Sequence, residues 1–183
     1  MNKQETMEKI KNLYATFEYT DEKLTEIETI IKNYLAEHPT DTEMWLRLTK
    51  LELTPPWEDP DRMVSYLNSI LSYDPYNIKA VLALAYIEDL FFGKMKESTF
   101  LVLCELKTDN PEILSMIEYA KAFYYMEKDE EKYAKHLIKS IDYWDKHVNN
   151  WKSLGKYYLK KGEIALGKDC IKKALENIQA VYG

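Results

Sequence analysis

The sequence predicts an all-α protein built as a stack of helical hairpins, and three observations lead there. Pro39, Pro75 and Pro111 recur at intervals of 36 residues, each between two amphipathic stretches. Between them apolar residues return every three or four positions, and the strict alternation of a half-buried strand is missing. Gly and Pro are scarce, 5 and 6 in 183 residues. A period of this length is what stacked helical arrays display, because one hairpin cannot bury its apolar face alone.

Taken in order, the first stretch carries Met7, Ile10, Leu13, Tyr14 and Phe17, and the second, after Thr20-Asp21, carries Leu24, Ile27, Ile31, Tyr34 and Leu35. The third opens on Thr40-Asp41-Thr42-Glu43, read as a Thr-x-x-Glu capping box, and continues through Met44, Trp45, Leu48 and Leu51. Asp59-Pro60 caps a fourth, with Met63, Tyr66, Leu67, Ile70 and Leu71 inward. The fifth runs from Ile78 to Phe92 and stops at Gly93; the sixth runs from about Met95 to Leu106. Asn110-Pro111 opens the seventh, which reaches Met126, and Asp129 caps the eighth. Trp151–Leu159 and Ile164–Val181, parted by Gly162, complete ten helices. The expected pairs are 3–38, 39–74, 75–110, 111–146 and 147–183, together one domain over 1–183.

Composition narrows the job. The chain is 46% apolar and 31% charged, with 15 Tyr, which excludes a disordered polymer. Its net charge of −6 opposes nucleic acid as the main ligand, since phosphate binding needs clustered Lys and Arg. The N-terminus, Met1-Asn2-Lys3-Gln4-Glu5-Thr6, is polar, and the most apolar run, Ala80 to Ile87, stops at Glu88-Asp89. No secretory signal or membrane span is read, and a cytoplasmic location is expected. Cys104 and Cys170 have neither paired nor metal-ligand spacing and read as two buried thiols.

No catalytic constellation is visible. His38, His136 and His147 lack metal-ligand spacing, and five glycines supply neither a P-loop nor a G-x-G-x-x-G turn. The carboxylate run at Glu127–Glu131 reads as a solvated helix start. No enzyme, cofactor or metal is expected. The adjacent aromatics Tyr124-Tyr125, Tyr143-Trp144 and Tyr157-Tyr158 each place one ring inward and one outward in this reading.

The last pair reads Trp151-x-x-Leu154-Gly155-x-x-Tyr158, then Gly162 and Ala174-Leu175. This spacing resembles the tetratricopeptide repeat (TPR), clearest over 147–180 and degenerate over 39–146. The family's proline after the second helix matches Pro39, Pro75 and Pro111. At the place of Gly155 the earlier pairs are read as Thr49, Ala85 and Lys121, and Gly167 stands where the family usually has Ala. The resemblance implies a right-handed solenoid whose first helix in each pair lines a concave, protein-binding face. Carried over position by position, that face holds Glu43, Leu46, Lys50 and Leu53, then Lys79, Leu82, Tyr86 and Asp89. The fourth pair adds Ser115, Glu118, Ala122 and Tyr125, and the fifth Asn149, Lys152, Lys156 and Leu159. Trp57, in the loop Thr54-Pro55-Pro56-Trp57-Glu58-Asp59-Pro60-Asp61, either folds back onto the helices or is offered to a partner. The chaperone-tail clamp of the family is not matched, since Lys11 is followed by Ala15 where Asn is needed.

Charge is uneven along the chain. Residues 1–146 sum to −10, whereas 147–183 hold 7 Lys against 3 acids, giving +4. An acidic body suits a basic protein partner. The expected function is therefore non-enzymatic binding of one protein, most specifically by a bacterial immunity protein that neutralises a toxin domain. A TPR-type secretion chaperone or adaptor that holds an extended segment is the alternative; an RNA-binding helical repeat of the pentatricopeptide kind is disfavoured by the charge.

Overall fold

The computed structural model describes residues 2–15, 20–54 and 58–182, the side chains of Val181 and Tyr182 excepted. These residues form ten α-helices and no strand: α1 (Lys3–Tyr14), α2 (Asp21–Glu37), α3 (Thr42–Leu51), α4 (Pro60–Tyr73), α5 (Ile78–Phe92), α6 (Glu97–Glu105), α7 (Pro111–Tyr125), α8 (Glu130–Tyr143), α9 (Val148–Lys160) and α10 (Ile164–Tyr182). Phe17, Pro55, Pro56 and Trp57 lie outside the described residues.

Short polar side chains start the helices where the sequence places them. Asp59, Asn110 and Asp129 each accept a backbone N–H of the first turn, and Pro follows directly at α4 and α7. The expected cap at Thr40 is corrected by one residue: Asp41 Oδ1 accepts from Met44 N at 3.2 Å. Asp41 also accepts from Tyr34 Oη at 3.0 Å and pairs with Lys3, so it ties α1, α2 and α3 together. Glu43 is freed from capping and pairs with Lys3 and Arg47 instead. The sixth helix is shorter than expected. Lys96 N donates to Glu88 Oε2 at 2.9 Å, which anchors the connection from α5 and delays the helix start to Glu97.

The chain packs as two compact units, Met1–Ile87 and Glu88–Gly183, with the division falling inside α5. In the first, Ile10, Leu24, Ile27, Ile31, Tyr34, Leu35, Met44, Leu48 and Leu51 form the core, with Trp45 against its edge. A polar cluster lies beside this core. Glu52, fully buried, accepts from Arg62 at 3.0 Å, and Arg62 also holds Glu28 and the Tyr66 hydroxyl. Burial raises the Glu52 pKa, against the pull of Arg62 and with the push of Glu28.

In the second unit Ala122, Leu137, Leu154 and Cys170 are the centre, wrapped by Tyr119, Tyr133, Ile141, Trp151, Tyr157 and Tyr158. Here α9 and α10 approach closely: a Cβ on Gly155 would lie 2.9 Å from Ile171 Cδ1 and 3.1 Å from the Gly167 carbonyl. The small residue that the motif puts at Gly155 is therefore a packing requirement. Gly167 faces it, and a Cβ there would meet Leu159 Cγ at 2.6 Å, which explains why Ala is absent. Gly162 (φ 81°) turns the chain between the two helices.

A buried polar network stitches α7, α8 and α9. Ser140 Oγ donates to the Ser115 carbonyl at 2.8 Å, Asn150 Nδ2 donates to Ser115 Oγ at 3.1 Å and also to Ser140, and all three residues are buried. Two sequence expectations are corrected. Cys104 is exposed while Cys170 is buried, because Cys104 falls on the outer side of the short α6. Tyr124 and Tyr125, like Tyr157 and Tyr158, are both half-buried, since each ring lies against a neighbouring side chain instead of splitting between core and solvent.

Candidate protein-binding surface

The first helix of each pair is expected to present the binding residues, and most of them are accessible. On α3 Glu43 and Lys50 are exposed and Leu46 is half-buried; Leu53, just beyond the helix, is 41% exposed. These lie at i, i+3, i+7 and i+10, on one face. On α5 Lys79 is exposed, Leu82 half-buried and Tyr86 61% exposed, again on one face. In the second unit Asp89 is half-buried, and burial together with the Glu127 charge raises its pKa. Asn149, Lys152, Lys156 and Leu159 form an exposed row along α9. Trp57 lies outside the described residues.

The seventh helix corrects the expectation. Ser115, Glu118 and Ala122 are buried, at 0%, 3% and 0% exposure. The reason is register. Helices α3, α5, α7 and α9 begin at 42, 78, 111 and 148. Seven positions on stand Thr49, Ala85, Glu118 and Gly155, all buried. The residue at the close-packing position of α7 is thus Glu118, three positions before the expected Lys121. Even proline spacing conceals this, because the helix starts are 33 and 37 residues apart on either side of α7.

A carboxylate at that position survives by being saturated. Glu118 Oε1 accepts from Lys121 at 3.0 Å and Lys139 at 3.2 Å, and Oε2 meets His136 Nδ1 at 2.8 Å. Burial would raise its pKa, but the hydrogen bonds from His136 and Lys121, with Lys139, hold it at about 2. His136 stacks on Tyr125, half-buried, at 5.4 Å between ring centres. Glu118 therefore joins α7 to α8 and is withdrawn from the expected surface; Tyr125 is half-buried.

The cluster holds one acid, one imidazole and two ammonium groups, all engaged with one another. Among the described residues no group of His, Cys, Asp and Glu could hold a metal ion. No described helix is long and apolar enough to cross a membrane. The accessible rows expose apolar side chains beside charged ones: Leu53 and Tyr86 in the first unit, Leu159 in the second.

The sequence matches no protein-family model and no curated protein. Solved structures are similar in fold. A crystal structure of MamA covers 90% of this chain and 99% of its own, with 19% identity and a TM-score of 0.65. MamA 41-end from Desulfovibrio magneticus RS-1 covers 97% and 95%, at 14% identity and a TM-score of 0.71. TTC0263, a thermophilic TPR protein in Thermus thermophilus, covers 96% and 91%, at 17% identity and a TM-score of 0.67. With ten helices, antiparallel pairing and the Trp151–Tyr158 motif at its packed crossing, the chain has the tetratricopeptide-repeat fold.

Proposed function

We propose that this protein is a non-enzymatic module that binds one protein partner through the first helices of its pairs. The observation that carries the reading is the exposure of Leu53, Tyr86 and Leu159 at repeat-equivalent faces, each with charged neighbours. Aromatic and aliphatic anchors of this kind supply desolvated points of contact, with Glu43, Lys50 and Lys79 around them in the first unit and Asp89, Lys152 and Lys156 in the second.

Charge narrows the partner. The first unit holds 9 basic and 15 acidic side chains, so it carries −6 by itself, and the second, with 16 of each, is neutral. A basic protein is steered toward the first unit. The finer reading is a bacterial immunity protein covering a basic toxin domain in the cytoplasm; a secretion chaperone holding an extended effector segment is the rival.

Calorimetry on the intact chain separates the two. A candidate toxin domain is titrated in parallel with the unfolded peptides that span it. Tight binding of the folded domain alone supports the immunity reading, and tight binding of one extended peptide overturns it. Tyr86→Ala and Leu53→Ala should each weaken the complex roughly tenfold or more if these anchors are central. Undiminished binding in both variants would remove the first-helix surface from the proposal.

A further inference from the structure

In the first unit a carboxylate is buried at the end of α3 with half of its hydrogen-bonding capacity unused. Glu52 caps that helix, its N–H donating to the Leu48 carbonyl at 3.3 Å, and it is 0% exposed. Its Oε1 accepts from Arg62 Nη2 at 3.0 Å and from the Tyr66 hydroxyl at 3.5 Å. Its Oε2 is buried and has no hydrogen-bond partner among the described residues. An ionised carboxylate with one dry oxygen is costly to bury, and the neutral carboxyl much less so.

Arg62 does not compensate in full, because it is shared. The same Nη2 also bonds Glu28 Oε1 of α2, and the Tyr66 hydroxyl stands 3.5 Å from that oxygen too. Two carboxylates thus converge on one guanidinium nitrogen and one hydroxyl. Glu28 has a second cation, Lys32 at 2.6 Å, and its side chain is closer to solvent than that of Glu52. Burial raises the Glu28 pKa, but Lys32 and Arg62 outweigh it and hold the group below its ordinary value. Among the described residues Glu52 has no second cation, and Asp59, the cap of α4, adds a further negative charge. The groups facing Glu52 are therefore Glu28 and Lys32 from α2, Asp59 ahead of α4, and Arg62 and Tyr66 on α4. Of the two carboxylates, Glu28 keeps its charge and Glu52 takes the proton.

We infer that Glu52 is a proton switch at the seat of α3 on α4: protonated, it lets the helix end stay closed, and ionised, it drives that end to open and carry the carboxylate to water. Leu53 and Thr54 follow it, held to the Lys50 and Leu51 carbonyls at 3.2 and 3.0 Å, and move with it. The direction comes from the burial, which raises the Glu52 pKa above its ordinary 4.5. Such a group contributes stability that is fully present below the unfolded value and lost as pH rises through the folded one. Glu118 works the other way, below 4.5 and in the other unit, so the two responses do not overlap. Where Leu53 anchors a partner as proposed, its presentation follows pH; the switch itself does not rest on that reading.

The test uses the full chain and needs no partner. Amide hydrogen exchange at Glu52, Leu53 and Thr54, corrected for base catalysis, reads the opening of the helix end. The carbon chemical shift of the Glu52 carboxyl, followed by NMR in the unaltered chain, reads its charge. Opening should rise about tenfold for each pH unit between 4.5 and the midpoint of the Glu52 titration, then level off. Glu52→Gln, neutral and of the same shape, should abolish the rise while keeping the protection seen at pH 4.5. Glu28→Gln removes the competing charge and should move titration and rise together to lower pH. A Glu52 carboxyl that titrates at or below 4.5 in the unaltered chain overturns the inference, whatever the variants do. So does a rise that persists in Glu52→Gln, or an opening that stays constant while the carboxyl titrates.

Discussion

Glu118 is the residue where chemistry and packing meet most sharply. It occupies a crossing that the last pair gives to Gly155, and only its three donors make that tolerable. Glu118→Ala leaves Lys121, half-buried, without its partner and opens space between α7 and α8; a loss of about 2–4 kcal/mol is expected in urea denaturation. Its pH dependence follows from the sign of the shift. A carboxylate whose folded pKa is depressed from 4.5 to about 2 contributes stability fully present above the unfolded value. That contribution, on the order of 3 kcal/mol, is lost as pH falls from about 4.5 to about 2. Glu118→Gln should flatten the stability profile in that window; an unchanged acid limb would contradict the assignment. Gly155 makes the complementary case. Gly155→Val must push against both Ile171 and the Gly167 backbone, and should cost about 1–3 kcal/mol by the same measurement.

At the scale of the element, helix starts obey local rules and helix registers do not. Asp59, Asn110 and Asp129 are legible as caps because a side-chain oxygen reaching an N–H two or three residues on is a property of the local chain. Sequence alone assigns the start of α3 to a Thr40 box, since the contacts of Asp41 with Tyr34 and Lys3 come from α2 and α1. Asp41→Ala removes the cap and both of those ties. A drop of about 1–2 kcal/mol and earlier thermal melting are expected, whereas Thr40→Ala should change little. The exposed rows on α3, α5 and α9 are readable from a helical period, but the buried row on α7 is not. The starts at Ile78 and Pro111, 33 residues apart, are both legible, but counting by the even proline period points to Lys121, whereas counting from the helix start brings Glu118 to the crossing.

For the whole molecule the decisive quantity is where charge lies relative to the folded units. The net −6 belongs to the first unit, and the second is neutral only because acids at 88–146 balance lysines at 147–183. Association with a basic partner at the first-helix surface should therefore slow steeply as ionic strength rises, measured by stopped-flow. Charge reversal at Glu43, which is exposed, should slow it further, while the buried Glu118 should contribute nothing to steering. A rate indifferent to salt would remove electrostatics from the recognition.

By itself the sequence determined the all-α class, the number of helices, most of their caps and the tight crossing at Gly155. Each of these rests on periodicity or on chemistry within one turn of the chain. The tertiary structure decided which residues those helices withdraw and which they present. It took Ser115, Glu118 and Ala122 out of the candidate surface and left Leu175 and Ile178 open on α10. Exposure depends on the neighbouring helix, and the register between neighbours is a sum over distant contacts that no single segment encodes.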